Sequence, residues 1–341
     1  MTSKVNHQDQ SAQSGPNYFA ALRFVLLPLA LLILANIVFS LVAFNIDQLV
    51  AELKSLLISE QKLINPFLEA RARLTWGTTV LLFYSALIAV SIFCGAIIRQ
   101  SLTGPKKLIF VAVATLIAAG VLGHLAYSGY FRTKFSYIFF FTFDTLTASQ
   151  YYTDFQLRAI KGLVSGINVL TSMVASLALV TGCCLLSETP ELKKSDVYLA
   201  VNQMRQLKMF IGMVSTLLVT GVLHMVAWLH WPSALVLNKP LANHVISFSE
   251  SMALYWGATF SLLIATFYIP AAWSISKRAA ALIAAAPEQT QGLESQEWLK
   301  KHSLSLNPLE QLPELIAMLA PLLVGPIGAA ITRLSGPLSG G

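Results

Sequence analysis

The sequence predicts an all-α fold, a polytopic integral membrane bundle of about six transmembrane helices followed by an apolar C-terminal segment that proline and glycine break. Composition is the first reason. Apolar residues make up 55% of the chain and charged residues 11%, and the mean hydropathy is +0.66, which excludes an ordinary soluble domain. The second reason is that the charged residues cluster and leave uncharged stretches as long as the ~20 residues of a spanning helix.

Six uncharged stretches are candidate transmembrane helices. They cover residues 24–46, 74–98, 108–131, 162–187, 209–238 and 251–276. A seventh apolar stretch, 315–332, is close to the lower length limit for crossing and carries Pro321, Gly325, Pro326 and Gly328. Because lipid cannot satisfy the backbone groups that such residues free, we expect this segment to dock on the bundle or to form a re-entrant hairpin rather than to span.

The predicted organisation has four parts: a polar cytoplasmic N-terminal tail (1–23), a six-helix transmembrane domain (24–276), a cytoplasmic helical linker (277–312) and an apolar C-terminal segment with a flexible tail (313–341).

Two of the predicted outer loops are long. In loop 47–73, leucines recur near helical spacing beside charges, which predicts short amphipathic helices. Loop 132–161 contains the aromatic run 135–143. This run is too short to cross as a helix, and aromatic rings prefer the membrane interface, so we expect it to lie there.

The distribution of cations predicts the orientation. Lysine and arginine are denser in the segments that a cytoplasmic N-terminus would place inside, which indicates that orientation in a plasma (inner) membrane. Cys94, Cys183 and Cys184 fall near the predicted inner helix ends, so no outer disulfide framework is expected. We interpret the adjacent pair as small apolar residues in helix packing, with a thiol sensor or metal site as the alternative.

Two histidines are candidate cofactor ligands. His124 follows Lys107 by 17 residues and His224 follows Lys208 by 16, on helices predicted to run in the same direction. Both imidazoles are therefore expected at one depth, in the outer half of the membrane. Such a pair could bind haem or a metal ion. The lack of an accompanying carboxylate favours the alternative, in which each ring only hydrogen-bonds within the bundle.

A third histidine lies in the same stretch, GVLHMVAWLHWP. His230 is rotated by ~120° from His224 on a helix, so it cannot share that face and belongs with the neighbouring tryptophans in an interfacial collar. A metal site at the outer face would draw on His230 together with His244 and Glu250, from the following loop and helix.

The expected function is non-enzymatic. The sequence carries no motif of nucleotide-binding, zinc-protease, serine-hydrolase or dinucleotide-binding proteins. The six stretches contain no Asp, Glu, Lys or Arg, which disfavours proton-coupled transport. We therefore expect an oligomeric pore or permeability component, and the G-x-x-x-G pair Gly162 and Gly166 favours close helix contacts in such an assembly.

Two alternative functions stay open. One is a membrane redox component that holds haem or a metal on His124 and His224, although the default expectation is that no cofactor is bound. The other is a scaffold or sensor that binds a partner through loop 132–161. The expected partners are the lipid bilayer, further copies of the chain and a protein at that loop, and nothing in the sequence predicts nucleic-acid binding.

Overall fold

The computed structural model describes residues 18–42, 64–101, 137–186, 197–236, 238–285, 294–305 and 311–334, together with residue 307 and isolated positions between 48 and 55 and between 112 and 123. Every regular element in this part of the chain is helical. The helices are α1 (Tyr18–Val42), α2 (Pro66–Ser101), α3 (Tyr137–Ala148), α4 (Asp154–Leu186), α5 (Val197–His230), α6 (Lys239–Ala285), α7 (Ser295–Lys301) and α8 (Leu312–Leu334). A 3-10 turn, Trp231–Leu235, joins α5 to α6.

The chain is a helical membrane protein. Four described helices are long and apolar enough to cross a bilayer, namely Pro66–Gln100, Asp154–Leu186, Val197–Leu235 and Lys239–Ala285. Four of the six predicted spans are thereby confirmed by length and composition. The first predicted span falls in α1, whose apolar part, Leu26–Val42, is shorter, and the third, 108–131, lies largely outside the described residues.

The bundle is built around α5 and α6, which the 3-10 turn joins as an antiparallel pair. Helix α8 packs along both of them, α2 packs on α4 and α5, and α1 packs on α4 and α6. Helix α6 is 47 residues long, and α7 packs against it. The buried Trp298 of α7 also meets Tyr198 at the start of α5, at 6.0 Å between ring centroids. Helix α7 therefore lies at the end of the bundle where α5 begins and α6 ends.

Helix α2 begins two turns earlier than predicted. The side chain of Asn65 accepts hydrogen bonds from two backbone N–H groups of the first turn, at 3.0 and 3.4 Å, and Pro66 follows it at the first helical position, where a missing donor costs nothing. Residues 66–73 are therefore helical and continuous with α2, in a stretch where the sequence predicted short amphipathic helices of an outer loop. The prediction ended the loop at the last charged residue, but the cap determines where the helix starts.

Helix α4 also begins earlier than predicted. Thr153 and Gln156 exchange hydrogen bonds in a capping box: the Thr153 N–H donates to Gln156 Oε1 at 2.9 Å, and the Gln156 N–H donates to Thr153 Oγ1 at 3.3 Å. Residues 154–161 are thus helical, which corrects the border of the predicted loop 132–161. The aromatic run contributes to α3, and this helix of 12 residues is too short to cross, as predicted.

The C-terminal apolar segment is a continuous helix, which corrects the prediction that proline and glycine break it. Pro321 has no N–H, so the carbonyl of Ala317 has no donor within α8. The Ser215 hydroxyl of α5 donates a hydrogen bond to that carbonyl. The segment packs on α5 and α6 as one helix, because α5 supplies the hydrogen bond that the proline removes. The expectation that it docks rather than spans stays a prediction.

Small residues bring α8 close to α6. A Cβ atom at Gly257 would lie 2.5 Å from the carbonyl oxygen of Pro321, and a Cβ atom at Gly325 would lie 3.3 Å from the Cβ of Ala253. The Leu322 N–H also lies 3.2 Å from the Ser261 hydroxyl, to which it donates a hydrogen bond. This is the close backbone approach typical of small residues in membrane helix pairs.

One glycine of the predicted G-x-x-x-G pair of α4, Gly166, makes a close contact with another helix. The Tyr84 hydroxyl of α2 sits over Gly166, 2.8 Å from where a Cβ would be, and donates to the carbonyl of Leu163 at 3.1 Å. A Cβ at Gly162 would meet no atom within 4 Å. The contact at Gly166 joins α2 to α4 within one chain.

Candidate functional site

The largest cluster of aromatic and polar side chains lies at one end of the bundle, which we call the tryptophan end and define by Trp76, Trp228 and Trp231. The ring centroid of Trp76 is 5.6 Å from that of Trp228 and 5.1 Å from that of Trp231. The opposite end is marked by the ion pair of Lys208 with Glu314 at 3.1 Å. Lys208 and Trp228 are separated along α5 by about 30 Å, which is the thickness of a bilayer core.

Helix α3 is hydrogen-bonded to this end through Trp228. The Trp228 indole N–H donates to the carbonyl of Ile138 at 3.2 Å, and the backbone carbonyl of Trp228 accepts from the Thr142 hydroxyl at 2.7 Å. That carbonyl would normally accept from residue 232, which is a proline without an N–H. Thr142 thus supplies the missing donor, and α3 and α5 are held together on both sides of one tryptophan.

His224 is buried between aromatic rings. Its ring centroid lies 5.7 Å from that of Phe83, in a stacked arrangement, and 6.3 Å from that of Trp76. Its Nδ1 atom has no hydrogen-bond partner. His124, predicted to face it, lies outside the described residues, so their pairing stays a prediction. The described neighbours make His224 a packing residue of the α2–α5 contact.

The three residues of the predicted metal site are only partly brought together. His230 is half-buried at the end of α5, and the Glu250 carboxylate on α6 is near enough to act on its ring electrostatically. His244 is exposed on α6, six residues before Glu250 and so on a different helix face. Within the described part of the chain, no group of three or more His, Cys, Asp or Glu residues could hold a metal ion.

The cysteines lie in helix packing. Cys94 on α2 and Cys184 on α4 are buried, Cys183 is half-buried, and all three are thiols outside any disulfide. The Cys94 side chain lies beside that of Thr181 of α4. This contact places the end of α2 beside the end of α4, at the opposite end of the bundle from the tryptophans.

Glu69 is the residue of this end that the sequence did not reveal. Its side chain is 0% exposed, although the prediction placed it in an outer loop. Its Oε1 atom accepts a hydrogen bond from the Tyr152 hydroxyl at 2.8 Å and lies 3.6 Å from Nε of Arg73. Its Oε2 atom has no partner. A usable signal was the spacing of Glu69, Trp76 and Phe83, which are seven residues apart and share one helix face.

Tyr152 holds the Glu69 carboxylate from the turn that precedes α4. Burial, and after it the hydrogen bond to Glu69 and that residue's negative charge, raise the pKa of Tyr152 above the usual range of a phenol. Tyr152 therefore stays protonated and acts as a donor. Its ring meets Trp231 edge-on at 6.0 Å between centroids, so the buried carboxylate is connected to the tryptophan cluster.

The aromatic loop residues divide into buried and exposed sets. Phe141 and Leu146 of α3 are fully buried and support the tryptophan end from within. Phe67, Tyr151 and Phe155, which we call the aromatic rim, are 85%, 42% and 75% exposed. Each follows or precedes a residue of the Glu69–Tyr152 hydrogen bond by one to three positions, so the rim belongs to the same backbone segments as that hydrogen bond.

Comparisons of the chain with protein-family models, with curated proteins and with solved structures find no match.

Proposed function

We propose that the chain is a non-enzymatic multi-pass membrane protein, a scaffold or sensor that binds a protein partner at the tryptophan end. The aromatic rim carries this proposal. The hydrogen bond between Glu69 and Tyr152 ties the start of α2 to the turn before α4, so the three exposed rings are presented from fixed backbone. Large aromatic side chains on a rigid support are enriched where proteins bind other proteins.

The pore and redox alternatives have less support from the described residues. The pore expectation drew on a broken C-terminal segment, but α8 is continuous, and its Val324 packs with Val222 and Ala253 in a buried cluster. The redox expectation drew on two facing histidines, whereas the described neighbours of His224 are aromatic rings. Partner binding is therefore the favoured function.

The proposal includes a topology of six spans. Helix α2 ends beside Thr181, at the end away from the tryptophans, while Ile138 at the start of α3 contacts Trp228. The chain between Ser101 and Tyr137 has to pass from one end to the other, and its uncharged stretch 108–131 is long enough to cross.

The proposed orientation places the tryptophan end outside a plasma (inner) membrane and the N-terminus in the cytoplasm. Four cations of the opposite end support it, since cytoplasmic surfaces retain lysine and arginine. They are Arg205, Lys208, Lys277 and Arg278.

Photo-crosslinking in native membranes tests whether the aromatic rim binds a protein partner. A photoreactive amino acid at Tyr151 or Phe155 is expected to yield a discrete crosslinked protein, whereas the same group at Leu81, which is 70% exposed on the spanning part of α2, should yield only lipid adducts. If the rim positions also yield only lipid, the rim is a membrane anchor and the proposal fails.

Leakage of dye from liposomes that contain the purified chain, above that of empty vesicles, would favour the pore instead.

A further inference from the structure

We propose that Glu69 is the anionic group of a binding site for a primary alkylammonium ion at the tryptophan end. The inference does not depend on the protein partner proposed above. A carboxylate that is fully withdrawn from water needs its oxygens satisfied, because burying a charge without partners is costly. In Glu69, Tyr152 satisfies Oε1, and no described residue hydrogen-bonds to Oε2.

The cation nearest to Glu69 does not complete its coordination. Arg73 approaches Oε1 rather than Oε2, through Nε and at 3.6 Å, and its side chain is 44% exposed. Glu314 at the opposite end is the contrasting case, since it also has one buried oxygen without a partner but its charge is paired with Lys208 at 3.1 Å. The Glu69 carboxylate thus retains an acceptor atom and much of its charge.

The surroundings of Glu69 select the class of ligand. Tyr152 brings an aromatic ring to the carboxylate, the ring of Trp231 packs on Tyr152 in turn, and aromatic rings attract cations. The Oε2 atom requires a hydrogen-bond donor. A primary ammonium group offers both a positive charge and N–H donors, whereas a quaternary ammonium group offers the charge alone. The side chain of Arg73, which is 44% exposed, lies 3.6 Å from Oε1, so the carboxylate is within reach of one side chain from the surface.

The test is a titration of the purified full-length chain with butylamine hydrochloride, followed by tryptophan fluorescence. Sodium chloride at the same ionic strength is the reference. We expect a saturable change with butylamine and a response to butyltrimethylammonium that is weaker by about tenfold in apparent affinity, because the donor hydrogen bond is lost. No saturable change with butylamine, or equal affinity for the two ions, overturns the assignment.

Three variants test whether butylamine binds at Glu69. Glu69→Gln should weaken butylamine binding by about tenfold or more, since it removes the charge but keeps the volume. Glu314→Gln is the matched control and should bind as the wild type does. Arg73→Gln removes the competing cation from a half-exposed position, and it should tighten binding a few-fold.

Each variant can contradict the inference. Wild-type affinity in Glu69→Gln, or an equal loss in Glu314→Gln, overturns it. Should Glu69→Gln fail to fold, Arg73→Gln decides the question, because unchanged or weaker binding in that variant also overturns the inference. A failure of the crosslinking experiment leaves these titrations unaffected, so the two proposals fail separately.

Discussion

At the scale of the residue, His224 packs between aromatic rings of the α2–α5 contact. Because Phe83 stacks on its ring and no described residue hydrogen-bonds to Nδ1, His224→Phe should change the free energy of unfolding by less than about 1.5 kcal/mol, since volume is nearly conserved. His224→Ala should cost about 3 kcal/mol through the cavity it leaves. Unfolding in mixed micelles measures the change in the free energy of unfolding for both variants. A visible haem band in the wild type that disappears in His224→Phe would show that the ring is a ligand.

A second residue-scale prediction concerns pH. Tyr152→Phe should lower stability by about 2 kcal/mol near neutral pH, because a hydrogen bond to a carboxylate is lost. Burial and Glu69 raise the pKa of Tyr152, so above pH ~10 the unfolded chain ionises while the folded phenol keeps its proton. The stabilisation that Tyr152 provides is therefore complete below pH ~10 and declines as the pH rises further. Unfolding measured at about pH 8 and about pH 11 should show a smaller difference between variant and wild type at the higher pH, and a constant difference would contradict this account.

At the scale of the element, the contact between α6 and α8 depends on the absence of one side chain. Gly257→Ala would place a Cβ atom 2.5 Å from backbone of α8, so it should destabilise the fold by about 1 to 3 kcal/mol. Gly212→Ala in α5 is the matched control, because its Cβ would meet no atom within 4 Å, and it should be neutral or stabilise by up to about 1 kcal/mol. Thermal or detergent-induced unfolding measures the stability of the two variants against the wild type. Equal effects would mean that the helices do not approach so closely.

Helix boundaries and continuity show what the sequence could and could not predict. Charge-free stretches were enough to locate α2, α4, α5 and α6, because bilayer thickness dictates their length. The starts of α2 and α4 were misplaced, although Asn65 and Thr153 are local signals that could have been used. The continuity of α8 could not be predicted from local sequence, because the donor for Ala317 is Ser215, 102 residues away in the chain.

The same limit applies to the candidate site. An interfacial collar of His230 with Trp228 and Trp231 was predicted, whereas the packing of His224 against Phe83 and Trp76 was not. The burial of Glu69 was not predicted either, because its partner Tyr152 lies 83 residues away and acidic residues near predicted helix ends are usually exposed. Long-range hydrogen bonds decide which polar residues of a membrane protein are buried, and they leave little trace in spacing or composition.

At the scale of the whole molecule, the proposed orientation can be tested by labelling. Single cysteines replace Phe155 and Ala281, both exposed, in a chain whose three native cysteines are changed to alanine. If the end rich in lysine and arginine is cytoplasmic, as proposed, a membrane-impermeant maleimide should label position 155 in intact cells and position 281 only after lysis. The reverse pattern would invert the molecule, and labelling of both positions in intact cells would show that the two ends do not lie on opposite sides.

The length of α6 has a mechanical consequence. Its 47 residues extend about 70 Å, more than twice the ~30 Å of a bilayer core. It begins next to the tryptophan end and continues as one helix, through Pro270, to the region where α7 packs. If the helix moves as one body, a tilt of about 5° at one end moves the other by about 6 Å. A ligand that shifts the tryptophan end would therefore displace α7 on the far side of the membrane, with no signal having to pass through loops.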